Sequence, residues 1–228
     1  MRPAHNVAIE YGLPVTSEAG AMARLLAGIF SRRDPPAYAV GLTAGEFEDF
    51  ATLLCPKAVT DGLTIVARRA ETNELVGVML TEDCASAMPE GMERLSRKFG
   101  PILDILGQLG TEYWGDRPGR PGEALHLFLL GVAEEVAGRG VAQRLVADCL
   151  EHGARNGYRR AVTEATNRIS QHVFRKLGFV ERVHRSYAAH RFDGRACFAS
   201  IADQGGPMLM DRCLQVAATP PVVERNPQ

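Results

Sequence analysis

Two glycines separated by one residue mark the part of the sequence with the clearest chemical meaning. They lie in the segment EEVAGRGVAQRL, Glu134 to Leu145, directly after the apolar run ALHLFLLGV. Glycines at a helix start leave consecutive backbone N–H groups uncovered, and the helix dipole favours an anion there by about 0.3 to 1 kcal/mol. The segment therefore predicts a loop that binds a phosphate, and Arg139 could contact a further phosphate.

The spacing excludes two common phosphate-binding loops. A P-loop needs GxxxxGK followed by Ser or Thr, and the chain contains no such run. A dinucleotide-binding loop needs its first glycine in the tight turn after the strand. Here Gly138 follows Val132 by six residues, and Gln143 occupies the third glycine position. What remains is a strand, a short loop and a helix, which suits a pyrophosphate.

A second motif, NRISQHVFRKLGF, follows one helix and one strand later, from Asn167 to Phe179. Together the two motifs resemble the GNAT superfamily of N-acetyltransferases, whose A motif reads Q/R-x-x-G-x-G/A and whose B motif reads N-x-x-A-x-x-x-Y-x-x-x-G-F. The segments IFSRRDPPAYAVGL and RSYAAHRFDGRACF add a resemblance to the arylalkylamine and dopamine N-acetyltransferases. The resemblance covers roughly residues 6 to 215.

The resemblance implies acetyl-CoA as the co-substrate. Backbone amides of the glycine loop would hold its pyrophosphate, and the end of the apolar strand would pair with its pantetheine arm. The implied cofactor-binding residues are Leu130, Gly131, Val132, Gly138, Arg139, Gly140, Val141, Ala142, Asn167 and Phe174.

Three positions depart from the family pattern. Ala137 replaces the usual Gln or Arg, which removes a side-chain contact but no backbone amide. Phe174 replaces a tyrosine that protonates the leaving thiolate in many members, so another group or water must do so. Asp34 stands where the amine-acetylating branch has a glutamate, so a base there would have a shorter reach.

Acetyl transfer to an amine requires the neutral nucleophile. An ammonium with a pKa of ~10.4 costs about 4 to 5 kcal/mol to deprotonate at neutral pH. By the resemblance, the catalytic candidates are Asp34 as the base, acting through water, and Thr166 with Ser170 as hydroxyls near the sulfur. Each also has a structural interpretation: Asp34 as a turn residue, Thr166 as a strand end or cap, and Ser170 as a small residue beside the cofactor.

Other candidates are open to two interpretations. His126 in the central strand could relay protons or be a buried structural histidine, and Tyr187 is a second choice of acid. Tyr113, Trp114 and Phe128 could line an amine pocket or belong to the core. Glu46, Glu48 and Glu164 are alternative carboxylates for the role of base, or else solvated surface charges.

Hydrophobic periodicity predicts the elements that must position these residues. The fold class is α/β, in the α+β sense: a GNAT-like mixed, mostly antiparallel sheet with helices on both faces. We expect one domain over residues 1–216 and a flexible tail over 217–228. Thr16 or Ser17 would cap the first helix, and ACFASIAD would form a hairpin with the strand after Gly178.

Composition limits the class of partner. The 228 residues carry a net charge of −1 with no long run of one sign, which argues against nucleic-acid or membrane binding. The five cysteines lack any metal-binding spacing, so no metal is expected, and they suggest reduced thiols. No leader or membrane span is apparent, so the expected location is cytoplasmic, as a monomer or homodimer.

The sequence therefore predicts an acetyl-CoA-dependent N-acetyltransferase. It would transfer acetyl to a small, arylalkyl-type amine by direct attack on the thioester. The alternatives are a polyamine, antibiotic or protein amine as acceptor, and a non-catalytic CoA-binding sensor.

Overall fold

The computed structural model describes residues 8–117 and 119–215. Seven strands are present in this part of the chain: β1 (Ile9–Gly12), β2 (Ile65–Arg69), β3 (Leu75–Asp83), β4 (Ala124–Val132), β5 (Arg160–Ala165), β6 (Val180–His184) and β7 (Met208–Cys213). Its α-helices are α1 (Ala19–Arg33), α2 (Pro35–Ala39), α3 (Ala44–Asp61), α4 (Phe99–Trp114), α5 (Val141–Arg155) and α6 (Arg168–Lys176).

The strands form one sheet in the order β1-β2-β3-β4-β5-β7-β6. Only the β4–β5 pair is parallel, so the predicted mixed, mostly antiparallel sheet is confirmed. One hydrophobic cluster packs helices α1 to α4 on one face, and a second packs α5 and α6 on the other. Helices therefore cover both faces, as the sequence predicts.

The strands β4 and β5 separate part of the way along. Their pairing runs from Ala124 with Arg160 to His126 with Val162 and then stops. One residue further, the Thr163 hydroxyl donates to the Leu127 carbonyl at 2.9 Å, so a side-chain hydrogen bond replaces the backbone hydrogen bonds between the two strands. The remainder of β4 pairs with β3 alone, which opens a gap in the sheet.

Local sequence explains the helix starts. Thr43 caps α3 in a reciprocal box with Glu46, as expected for Thr followed three residues later by Glu. The predicted cap of the first helix is wrong, because Thr16 and Ser17 lie in a short 3₁₀ turn ahead of Ala19. No helix of the described residues is long and apolar enough to cross a membrane.

The predicted final hairpin is wrong. ACFASIAD runs into a 3₁₀ turn over Ala199–Gln204, and the partner of β6 is instead β7. β7 also pairs with β5, so the segment is held as a strand by neighbours on both sides. The predicted tail over 217–228 lies outside the described residues.

Candidate active site

A cleft lies beside the glycine loop. Helix α5 begins at Val141, with Gly140 as its N-cap, so Gly138 and Arg139 precede the helix instead of lying in its first turn. Gly138 and Gly140 have φ of +75° and +81°, which L side chains rarely adopt, and open space lies where a Cβ would be. The backbone is therefore uncovered at the positive end of the helix, as a phosphate cradle requires.

The separated end of β4 forms one wall of this cleft. Leu130 and Val132 line it, and their backbone pairs with β3 on the other side. Gly131 does not line the cleft: a Cβ there would lie 3.0 Å from Leu26, so glycine permits close packing of α1 on the sheet. Beyond His126, β4 no longer pairs with β5, so this edge of β4 has backbone groups that could hydrogen-bond to a ligand arm carrying amide groups.

Two arginines lie near the glycine loop. Arg139 is exposed. Arg33, which the sequence interpretation missed, lines the cleft at the end of α1 and pairs with the exposed Glu134 at 2.7 Å. Exposed pairs of this kind contribute little, about 0 to 1 kcal/mol, so Arg33 can exchange its partner for another anion.

The start of α6 lies between this cleft and a second, inner cavity. Asn167 caps the helix: its side-chain oxygen accepts from the Ser170 backbone amide at 2.9 Å. The Ser170 hydroxyl donates to the Asn167 carbonyl, also at 2.9 Å. Asn167, Ser170 and Leu130 line both spaces, so the two adjoin at these residues.

The inner cavity is lined mainly by aromatic and aliphatic side chains and has a volume of about 100 Å³. Rings from α1, α3, α4 and β4 pack against each other around it; Phe30 and Phe47, for example, stack with centroids 4.9 Å apart. The phenylalanines along the cavity wall are Phe30, Phe47, Phe50, Phe99, Phe128 and Phe174.

Asp34 and Thr166 meet in the wall of this cavity. The Thr166 hydroxyl donates to Asp34 Oδ1 at 2.6 Å across 132 residues of sequence. Asp34 also caps α2, because its Oδ2 accepts from the Ala37 amide at 3.2 Å. The pair is therefore part of the α2 cap and of the cavity wall at the same time.

Burial changes the acidity of this carboxyl group. Asp34 is only 7% exposed, and this burial raises its pKa to about 6, although the hydrogen bonds from Thr166 and Ala37 act in the opposite direction. The carboxylate is consequently ionised at neutral pH but basic enough to hold a proton close to it.

His126 forms a second polar cluster with two glutamates. Its ring nitrogens lie 3.1 Å from Glu82 and 2.7 Å from Glu164. Burial would lower its pKa, but the charges of the two carboxylates and their hydrogen bonds outweigh burial and raise it to about 10. Glu164, expected as a surface charge, instead lines the inner cavity. His126 is thus an ion-paired imidazolium.

The other aromatic candidates differ in position. Phe174 lines the inner cavity, where it packs on Phe179 with centroids 5.0 Å apart. Tyr187 is 1% exposed and donates to the Thr166 carbonyl at 2.7 Å, and burial raises its pKa far above the usual range. Tyr113 and Trp114 line a separate surface pocket, so of the proposed pocket aromatics only Phe128 lines the cavity.

Solved structures share this fold. The C-terminal condensation domain of Ebony, in complex with beta-alanyl-dopamine, matches with a TM-score of 0.80 at 15% identity, over 91% of this chain and 100% of that one. Arylalkylamine N-acetyltransferase 2 from Aedes aegypti matches with a TM-score of 0.74 at 18% identity, over 91% of this chain and 99% of that one. Drosophila melanogaster polyamine N-acetyltransferase matches with a TM-score of 0.72 at 19% identity, over 91% of this chain and 100% of that one.

A sequence model of the Acetyltransferase (GNAT) family matches residues 43–179, which is more than half of the chain. This range contains the glycine loop, the separated strands and the start of α6. It confirms the superfamily and the enzyme class that the two motifs predict. The chain belongs to the acetyltransferase (GNAT) family.

Proposed function

We propose that the protein transfers the acetyl group of acetyl-CoA to the amino group of a small arylalkylamine. The observation that carries this proposal is the Asp34–Thr166 pair in the wall of an aromatic cavity, next to the point where that cavity joins the glycine-loop cleft. Two of the named neighbours are an arylalkylamine N-acetyltransferase and a polyamine N-acetyltransferase, and the third, a condensation domain, is in complex with beta-alanyl-dopamine; their likeness supports the fold on which the proposal rests.

The residues of the cleft fit acetyl-CoA. The uncovered amides at Gly138, Gly140 and the start of α5 suit a pyrophosphate, and the free edge of β4 suits the pantetheine amides. When bound, acetyl-CoA supplies a thioester as acyl donor and a thiol as leaving group. Arg33 and Arg139 offer positive charge to its phosphates.

Asp34 is the proposed proton acceptor. An ammonium is far less acidic than a carboxyl group of pKa about 6, but attack on a carbonyl makes the nitrogen strongly acidic. Asp34 then takes that proton directly or through water as the C–N bond forms. Thr166 keeps the carboxylate in place by donating to Oδ1, which leaves the other oxygen with the Ala37 amide and the cavity.

Ser170 and the N-terminus of α6 are the proposed groups for the leaving thiolate. The helix N-terminus stabilises negative charge by about 0.3 to 1 kcal/mol. The Ser170 hydroxyl can turn from the Asn167 carbonyl toward a nearby anion. Phe174 has no proton to give at this point, so it serves as cavity wall.

Six phenylalanines favour an arylalkylamine over an antibiotic or a protein amine, because rings pack well on rings and the cavity is narrow and apolar. A non-catalytic CoA sensor is the competing function. Ala137 and Phe174 are consistent with it, whereas a carboxylate in the cavity wall whose burial raises its pKa toward neutral suits a proton acceptor and is more than the cap of α2 requires.

Thiol release from acetyl-CoA distinguishes the two functions. The acceptors tested would be tyramine, dopamine, serotonin, spermidine and kanamycin, and binding of CoA would be measured by calorimetry. We expect turnover with the aromatic amines. Tight CoA binding without turnover on any amine would overturn the enzyme in favour of the sensor.

A further inference from the structure

One wall of the inner cavity carries a carboxylate that the proposed reaction does not use. Glu164 lines this wall beside Thr163 and Ala165. Among the described residues, His126 is the only side chain that hydrogen-bonds to it, through Glu164 Oε2 at 2.7 Å. The backbone amide of Glu164 also lowers the pKa of the carboxyl group, and the rest of the cavity wall around Glu164 is mainly hydrocarbon.

The cluster around Glu164 carries net negative charge. One imidazolium, His126, lies between two carboxylates, Glu82 and Glu164, and each of the three side chains is less than a fifth exposed. The Phe128 ring stacks on the His126 ring with centroids 4.9 Å apart, and Phe128 lines the cavity whereas His126 and Glu82 do not. Glu164 is therefore the member of the cluster that a ligand in the cavity can reach.

Position along β5 sets the order of the polar groups. Asn167 lies at the junction with the cofactor cleft, and Thr166 holds Asp34 one residue before it. Glu164 precedes Thr166 by two residues, which in an extended strand places it on the same side and about 6.5 Å deeper. A molecule whose amino group lies at Asp34 would thus extend its other end toward Glu164.

We infer that Glu164, held by His126 and Glu82, is a specificity-determining residue that accepts a hydrogen bond from a donor on the ring of the acceptor, as in a phenol or catechol. The inference rests on the proposed function. The phenylalanines favour a ring, and the carboxylate favours a donor on it. A bare ring would cover the Glu164 oxygen without giving it a partner, and such burial reduces binding by roughly five- to a hundredfold.

Tyramine and 2-phenylethylamine provide the test, since they differ by one ring hydroxyl. We expect kcat/KM of the wild type to favour tyramine by roughly five- to a hundredfold. Glu164→Met, of similar length but without an acceptor, should bring the ratio close to one, and Glu164→Gln should give an intermediate ratio. Thr163→Val, in the same cavity wall, is the matched control and should change stability but not the ratio.

The ratio separates specificity from structure, because a merely structural defect lowers both efficiencies together. Equal efficiency of the wild type on both amines would overturn this inference alone, as would a ratio that Glu164→Met leaves unchanged. If Glu164→Met fails to fold, the wild-type ratio and Glu164→Gln decide. A preference for agmatine over tyramine would overturn the assignment of a ring. Acetylation of no amine would overturn the proposed function as well.

Discussion

Replacing Asp34 by Asn should stabilise the protein while removing its activity. The folded state raises the pKa of Asp34 from an ordinary 3.8 to about 6, so it favours the neutral form. At ~1.36 kcal/mol per pKa unit, keeping the Asp34 carboxylate ionised in the folded state lowers the free energy of unfolding by about 3 kcal/mol above pH 6. Asn is neutral and has the same shape: its side-chain oxygen can still accept from the Ala37 amide and cap α2, while its NH2 group donates to the Thr166 hydroxyl oxygen.

The sign of the pH dependence follows from the raised pKa. The folded state binds the proton more tightly than the unfolded state, so the contribution of Asp34 to stability is fully present below pH 3.8 and is lost as the pH rises to about 6. The free energy of unfolding of Asp34→Asn should therefore exceed that of the wild type by about 3 kcal/mol at pH 8 and by less than about 1 kcal/mol at pH 4.

Urea unfolding followed by circular dichroism at both pH values measures this difference, and thiol release measures activity. Loss of the proton acceptor should lower kcat by about 10² to 10⁴. Asp49→Asn, exposed on α3, is the control and should change stability by no more than about 0.5 kcal/mol. A variant less stable than wild type at pH 8, or an equal gain at both pH values, would refute the reasoning.

Three further predictions concern the neighbours of this carboxyl group and the cofactor cleft. Thr166→Val removes a hydrogen bond that lowers the pKa of Asp34, so the acidic limb of the pH–rate profile should move to higher pH, whereas Thr166→Ser should leave it in place. Tyr187→Phe should cost about 1 kcal/mol of stability in urea unfolding and leave that profile unchanged, because its hydroxyl only serves the Thr166 carbonyl. Gly140→Ala should weaken CoA binding in calorimetry. The control is Gly157→Ala, at φ +89° beyond the other end of α5, which carries similar backbone strain and should leave CoA binding unchanged. Equal losses of CoA affinity in the two variants would contradict a phosphate site at the glycine loop.

Local patterns in the sequence predict much of the cofactor cleft. Closely spaced glycines after an apolar strand specify a backbone conformation over a few residues, and the predicted strand, glycine loop and helix are present, although the helix begins only after Gly140. The cap of α6 is Asn167 and not Thr166, the residue that the sequence interpretation offered as a cap. The buried stripe of α5 follows from 3.6-residue periodicity in the same way: Val141, Leu145 and Val146 all face the sheet.

Contacts between distant segments could not be predicted from local patterns. The family resemblance, and no local pattern, led to Asp34 and Thr166, which lie 132 residues apart. Glu164 was assigned to the surface because isolated carboxylates are costly to bury, and its charge is balanced by His126 from the neighbouring strand. Met208–Cys213 was missed because its strand conformation depends on pairing with β5 and β6.

The central claim is acetyl transfer to an amine with Asp34 as proton acceptor. The most direct test incubates the wild type and Asp34→Asn with tyramine and acetyl-CoA labelled in the acetyl group, and determines by mass spectrometry where the label goes. The account predicts N-acetyltyramine from the wild type and only a trace from the variant. Equal labelling by both proteins, or label on the ring oxygen in place of the nitrogen, would contradict it.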